Sequence, residues 1–164
     1  MPKAPEMELV KDYLAQNLLG NEVTEAHVLK PSVLRSLRGD IHDDAIGRTF
    51  TKSTRRGKFP LLELSGDRAI VINQKLAGGL QFCPPKQRVL KRTCILLDLS
   101  GGSQLRYTDD RRMGMFYYVS NHQLNEVPGL DDIDLEVSSF DSKGSAEISR
   151  AFSLAVVWCQ VLGA

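Results

Sequence analysis

The residues best placed to do chemistry stand at the very start of the chain. Met1 precedes a small residue, Pro2, and removal of Met1 leaves proline with a free secondary amine. An α-amino group titrates at about 7.7–8.0, against about 10.4 for lysine, so such an amine is a usable nucleophile near neutral pH. Secondary amines condense with aldehydes to iminium ions, the covalent logic of a Schiff-base lysine carried by a different nitrogen. Glu6 and Glu8 follow within a few residues, close enough along the chain to assist proton transfer. The same stretch also has a plain reading as the first turn of a helix, with Pro5 at its opening position and two acids favoured by the helix dipole. The chemistry of these residues alone leaves both readings open.

A second set of residues is basic. Arg48, Lys52, Arg55, Arg56 and Lys58 fall within residues 48–58 with no acid among them, and Lys86, Arg88, Lys91 and Arg92 within 86–92. Beyond residue 120 the sign reverses, with Glu126, Asp131, Asp132, Asp134, Glu136, Asp141 and Glu147 against Lys143 and Arg150. Overall the charge is only +1. A phosphate-binding face with an acidic far end gives this asymmetry, and so do ordinary solvated loops.

Elements that could carry these groups are legible in the pattern. Val10, Leu14 and Leu18, with Met7 and Tyr13, recur on one face and predict an amphipathic helix over 5–19, stopped by Gly20. Residues 21–30 read as a strand and Pro31 to Leu37 as a short helical turn. Strand signals then dominate: 46–54, 58–64, 68–73, 92–99, 103–108 and 115–119. Ser65-Gly66-Asp67 and Ser100-Gly101-Gly102 separate them as hairpin turns. Asn121 to Glu126 reads as another helical turn. Ile148, Phe152, Ala155, Val156, Cys159 and Leu162 predict a final amphipathic helix. Short strands with tight turns imply an antiparallel sandwich or barrel with the first helix packed on it.

The composition of the 164 residues, 42% hydrophobic and 25% charged, suits one soluble domain with its own core. No apolar run approaches the roughly 20 residues a membrane helix needs, and the charged start lacks a signal-peptide core. An intracellular protein without a membrane partner is the expectation. Cys83, Cys94 and Cys159 are odd in number and widely spaced, matching neither a disulfide framework nor a zinc site. They read as reduced, mostly buried thiols. His27, His42 and His122 show no metal-ligand spacing to a second ligand, so no metal or cofactor is implied.

Pro2-x-x-Pro5-Glu6-x-Glu8 resembles the N-terminal signature of the Fpg/Nei DNA glycosylases, the formamidopyrimidine and endonuclease VIII family. Further motifs follow in the family's order: Leu29-Lys30-Pro31-Ser32-Val33-Leu34-Arg35, Arg55-Arg56-Gly57-Lys58-Phe59, Asn73-Gln74-Lys75-Leu76-Ala77-Gly78 and Asp109-Asp110-Arg111-Arg112-Met113-Gly114. The resemblance covers about residues 1–130. It implies an α+β, mainly β fold: a two-layer antiparallel β-sandwich with an N-terminal helix, here followed by an acidic linker and C-terminal helix over 131–164. It also implies a bifunctional glycosylase and abasic-site lyase of base excision repair acting on damaged double-stranded DNA.

Carried over position by position, Pro2 is the nucleophile and Glu6 supports it, while Lys58 contacts phosphate, joined on the basic face by Arg55, Arg56, Asn73 and Arg112. Leu76, Arg111 and Met113 would fill the gap left by an extruded nucleotide. Asn73-Gln74 and Leu76 follow the Nei branch rather than the Fpg branch. Position 3 departs from the family, whose glutamate shuttles protons there; Lys3 cannot accept one, although its charge favours a neutral amine beside it. Reduced base excision with surviving abasic-site cleavage is the expectation. The length after the last motif implies that the family's helix-two-turn-helix and zinc-finger parts are missing. A non-catalytic DNA-binding or protein-interaction module on the same fold is the alternative, with the C-terminal helix face of Phe152, Val156 and Trp158 as the surface for a protein partner.

Overall fold

Leu62, Leu64, Ile70, Ile72, Ile95, Leu97, Leu99 and Leu105 alternate with their neighbours along the chain, and all are at most 4% exposed. That period-two pattern puts each of these side chains on one face of its strand. A computed structural model describes residues 4–37 and 39–130, with side chains from Glu8 onward. In chain order the elements are α1 (Ala4–Leu18), β1 (Val23–Val28), a 3-10 turn (Pro31–Val33), β2 (Leu34–Ser36), α2 (Ile41–Asp44), β3 (Phe50–Arg56), β4 (Phe59–Leu64), β5 (Arg68–Asn73), β6 (Gly78–Cys83), β7 (Thr93–Leu99), β8 (Gln104–Asp109), β9 (Met115–Ser120) and a 3-10 turn (Asn121–Glu126). Two sheets form, ordered β1-β7-β8-β6 and β2-β9-β5-β4-β3. All pairings are antiparallel except β2 on β9. The described residues are a mainly β, two-sheet sandwich, as the resemblance implies.

The inner faces of both sheets meet in one apolar cluster that also takes in Leu14 and Leu18 of α1, Val33, and Ile41 and Ala45 beside α2. Each of these leucines removes enough apolar surface from water to contribute roughly 1.5–3 kcal/mol. The outer face of the second sheet is covered as well. Phe59, Leu61, Ala69, Val71, Tyr117 and Val119 pack there under Val127 and Leu130, so β4, β5 and β9 are buried along nearly their whole length. On the first sheet Arg106, fully buried, reaches outward to the 84–92 loop. It donates to the carbonyls of Gln87 (2.9 Å) and Arg88 (3.2 Å) and to the side-chain oxygen of Gln104.

Three expectations from the sequence need correction. The Pro31-to-Leu37 turn is helical only through Val33; Leu34–Ser36 then add a parallel strand to β9. The strand expected from residue 46 begins at Phe50, because α2, capped by Asp40, is followed by a turn in which Gly47 takes φ 83° and the Arg48 N–H donates to the Ala45 carbonyl at 3.2 Å. Gly78–Cys83, absent from the expected strands, forms β6 and pairs with β8 along its length. Cys83 and Cys94 are buried free thiols. Within β1 His27 lies 3.1 Å from Glu25 on the same face, and pairing with β7 brings Asp98 to 3.4 Å from it, a third group that linear spacing does not display. The acidic linker, final helix and Cys159 lie outside the described residues. No helix of the described residues is long and apolar enough to cross a membrane.

Asp44 ties α2 to the second sheet. It accepts hydrogen bonds from Arg48 (3.0 Å), from Arg68 of β5 (2.7 Å) and from the Tyr118 hydroxyl of β9 (2.6 Å). Burial works to raise its pKa, but the donors Arg68, Tyr118 and Arg48 prevail and bring it from 3.8 to about 2. As pH falls, the unfolded chain therefore takes up this proton first. The stabilisation is fully present above about pH 4 and lost as pH drops toward about 2. Allowing for solvent around a carboxylate with 25% exposure, we expect Asp44→Asn to cost about 1–2 kcal/mol at neutral pH and much less near pH 2. Urea midpoints at the two pH values measure the difference; an equal loss at both would contradict it.

Candidate nucleic-acid interface

Strand register gathers most of the candidate residues at one end of the sandwich. Leu61 stands opposite Val71, Asn73 opposite Met115, and Arg56 opposite Phe59. Following these ladders, the β3–β4 turn lies at the same end of the second sheet as the end of β5 and the start of β9. From that end, residues 74–77 cross to β6 of the first sheet and residues 110–114 cross back from β8. Because Gly78 pairs with Asp109, the two crossings run side by side.

The β3–β4 turn has two residues, Gly57 and Lys58, with Gly57 at φ 53°. A two-residue hairpin whose first central residue is left-handed matches the twist of its strands, and glycine adopts that conformation without a Cβ clash. Lys58 is exposed, with its ammonium 5.7 Å from the centre of the Phe59 ring. Arg56 is exposed too. Arg55 is not a free cation, since it donates to Glu8 of α1 and to the Gly57 carbonyl at 2.9 Å.

That Glu8–Arg55 pair orients the first helix. Ser53 of β3 donates to the Lys11 carbonyl at 3.1 Å, so moving from Lys11 back to Glu8 on the helix follows Ser53 to Arg55 on the strand. The start of α1 is therefore directed at the β3–β4 turn, the end where the loops converge. Lys11 and, less strongly, Arg55 hold the Glu8 carboxyl below its ordinary range against partial burial. Leu14 and Leu18 fix the other end of the helix in the core, and Tyr13 sets its ring edge-on to Phe82, 6.2 Å between centres.

At the two crossings apolar and basic side chains stand in solvent. Leu76 is 60% and Met113 48% exposed, and Lys75, Arg111 and Arg112 are exposed beside them. Lys75 (φ 50°) and Arg112 (φ 53°) both hold left-handed backbone, which costs a non-glycine residue on the order of 1 kcal/mol or more. Asp109, fully buried at the root of the second crossing, accepts from the N–H groups of Arg111 (3.1 Å), Arg112 (2.9 Å) and Gly114 (2.7 Å). Asn73, at the root of the first, is 7% exposed, and its side-chain oxygen meets no partner among the described residues.

Of the residues expected from the sequence, Arg55, Arg56, Lys58, Asn73, Leu76, Arg111, Arg112 and Met113 thus fall at one end. Pro2 and Lys3 lie outside the described residues, and Glu6 is placed only as part of the α1 backbone. Two residues were not singled out as site residues: Tyr107, and Asp109 as the organiser of its loop. An acid at the end of a strand, followed by a loop that closes on Gly114, was the available signal for the latter. Glu25, His27 and Asp98 bring ligand atoms within 4.8 Å of one another on the surface of β1 and β7.

Comparison with known proteins identifies the family and the fold. Residues 1–116 match the family described as Formamidopyrimidine-DNA glycosylase N-terminal domain. The formamidopyrimidine-DNA glycosylase of Desulforamulus reducens is 36% identical over 138 residues, 83% of this chain and 50% of its own length. That of Moorella thermoacetica is 30% identical over 151 residues, 90% of this chain and 55% of its own length. This chain thus spans about half the length of the curated relatives it matches. Among solved structures, a complex of the LlFpg protein with a THF-DNA and an inhibitor aligns with a TM-score of 0.70 at 22% identity, covering 76% of this chain and 46% of that one. The Lactococcus lactis Fpg with an abasic site containing DNA gives 0.69 at 21% identity. At such identity the likeness concerns the fold.

The helix anchor yields a first test of the arrangement. Glu8→Gln removes the charge that holds Arg55 and Lys11. At 41% exposure the pair contributes no more than about 1 kcal/mol to global stability, yet amide exchange in the first turns of α1 should quicken several-fold while β5 and β9 keep their protection. Unchanged exchange around residue 8 would show that the pair does not orient the helix.

Proposed function

This chain belongs to the formamidopyrimidine-DNA glycosylase family through its N-terminal domain, and from that membership we propose that it binds damaged double-stranded DNA and cleaves it at abasic sites through Pro2. The observation that carries the reading is convergence at one end of the sandwich: the start of α1, the basic β3–β4 turn and two crossings with exposed apolar tips. The start of α1 at that end supports Pro2 as the nucleophile, because Pro2 stands only two residues ahead of Ala4 in the sequence.

An abasic sugar in its open form carries an aldehyde at C1′. The neutral Pro2 nitrogen adds to that carbon and water leaves, giving an iminium ion. The iminium withdraws electrons from C2′, a base removes a C2′ proton, and the C3′–O bond breaks with the phosphate as leaving group. Hydrolysis then frees the amine. Glu6 serves as the proton carrier, Arg56, Lys58 and Arg112 neutralise phosphates, and Arg55 and Asn73 complete that face. Leu76, Arg111 and Met113 occupy the space an extruded nucleotide leaves. An intracellular place of action follows from the substrate.

Excision of an intact damaged base makes a further demand, because the departing base and sugar need a proton donor and acceptor beside C1′. A carboxylate at position 3 supplies roughly 10²–10⁴-fold there, which Lys3 does not. The residue that singles this chain out thus favours abasic DNA over damaged bases as substrate. In the sequence, the apolar residues Phe152, Val156 and Trp158 that follow the acidic stretch support a protein partner for this chain. Should the chain bind DNA without covalent chemistry, it is a recognition module on the same fold.

Borohydride reduction separates these readings. With Met1 removed, verified by mass spectrometry, incubation with an abasic duplex and borohydride should yield a covalent protein–DNA adduct, and a chain carrying an extra residue ahead of Pro2 should yield none. Salt-dependent binding without an adduct would leave only the recognition module. In the same assay Lys3→Glu should raise release of oxidised bases by at least about tenfold while leaving abasic cleavage within a few-fold; no gain would remove Lys3 as the cause of reduced excision.

A further inference from the structure

The two crossings spring from different sheets, yet one side chain touches the roots of both. Tyr107 of β8 is 1% exposed, with its ring 6.0 Å from that of Phe116 in the core. Its hydroxyl donates to Asp109 Oδ2 at 3.3 Å. Asp109 in turn carries the N–H groups of Arg111, Arg112 and Gly114, the second crossing. On its other side the hydroxyl lies against the first crossing: a Cβ on Gly78 would stand 2.8 Å from it, and also 2.5 Å from the Gln74 carbonyl. A Cβ on Gly114 would stand 2.0 Å from the hydroxyl and 2.6 Å from the Asn73 carbonyl. The two glycines therefore admit the tyrosine tip between the loops, and the backbones themselves approach each other around it.

We infer that Tyr107 is a positioning residue that couples the two crossings into one unit, so that Leu76 and Met113 engage a DNA gap together rather than independently. Burial, reinforced by the neighbouring Asp109 carboxylate, pushes the hydroxyl well above its ordinary range, which keeps it protonated and donating. Both loops hold a left-handed non-glycine residue next to the apolar tip, Lys75 before Leu76 and Arg112 before Met113. Such conformations persist where the surroundings over-determine them. Two tips fixed at a set separation meet a gap in the stack with little ordering left to do, whereas two independent loops would each lose freedom on insertion. This inference rests on the reading of the tips as the gap-filling elements, and its test has one arm that does not.

Tyr107→Phe removes only the hydroxyl and keeps the ring in the core. In the DNA-free chain, hydrogen exchange should quicken at least several-fold in both 74–78 and 110–114, with β5 and β9 unchanged. Acceleration in one crossing alone, or in neither, overturns the coupling. In the second arm, the preference for a duplex with a tetrahydrofuran abasic analogue over an undamaged duplex is measured for Leu76→Ala, Met113→Ala and the double variant. In the native background the two losses should be non-additive by about threefold or more; in the Tyr107→Phe background they should multiply as independent factors. The same non-additivity in both backgrounds overturns the inference. Absence of any abasic preference in the native chain would instead defeat the reading of the tips, and the exchange arm would still decide the coupling.

Discussion

Asn73 on β5 stands opposite Met115 on β9, and this one register decides where everything at the candidate site falls. Side chains in a strand alternate faces, so a slip of one residue would turn Ile70, Ile72, Phe116 and Tyr118 out of the core and the outer set of Ala69, Val71, Tyr117 and Val119 into it. With both faces of the sheet buried, neither exchange is tolerated. The register is thus held by packing on two sides, and the crossings attached to these strands inherit its precision.

Placement then propagates outward through polar contacts of decreasing burial. Asp109 fixes the second crossing from a fully buried position, Asp44 joins α2 to β5 and β9 from a position 25% exposed, and Glu8, more exposed still, aligns α1. The same gradient sets what each link contributes: buried carboxylates bonded to backbone N–H groups define shape, whereas the exposed pair mainly gives direction. A site assembled this way has a stiff floor and a more yielding helix at its rim.

Much of this was legible in the sequence where one period dominates. The β5, β7 and β9 strands and the α1 helix follow from apolar spacing alone, and the order of motifs indicated the sandwich. What was not legible depends on partners far away in the chain. Leu34–Ser36 becomes a strand because β9 offers an edge, and Gly78-Gly79 enters β6 because β8 runs beside it. Arg55 reads as one more cation in a basic run until α1 brings Glu8 to it. Tyr107 reads as a core aromatic, which it is; that its hydroxyl lies between two glycines is a fact of three dimensions.

Arg106 adds a consequence for how this protein can vary. Its guanidinium holds the 84–92 loop by the main-chain carbonyls of Gln87 and Arg88, and carbonyls are common to every residue type. The path of the loop is therefore set without reading its side chains. Lys86, Arg88, Val89, Leu90 and Lys91, all exposed, can drift in charge and size through evolution while the backbone course endures, whereas position 106 tolerates no such drift. One buried fork on a strand thus holds a loop whose surface is open to selection for new contacts.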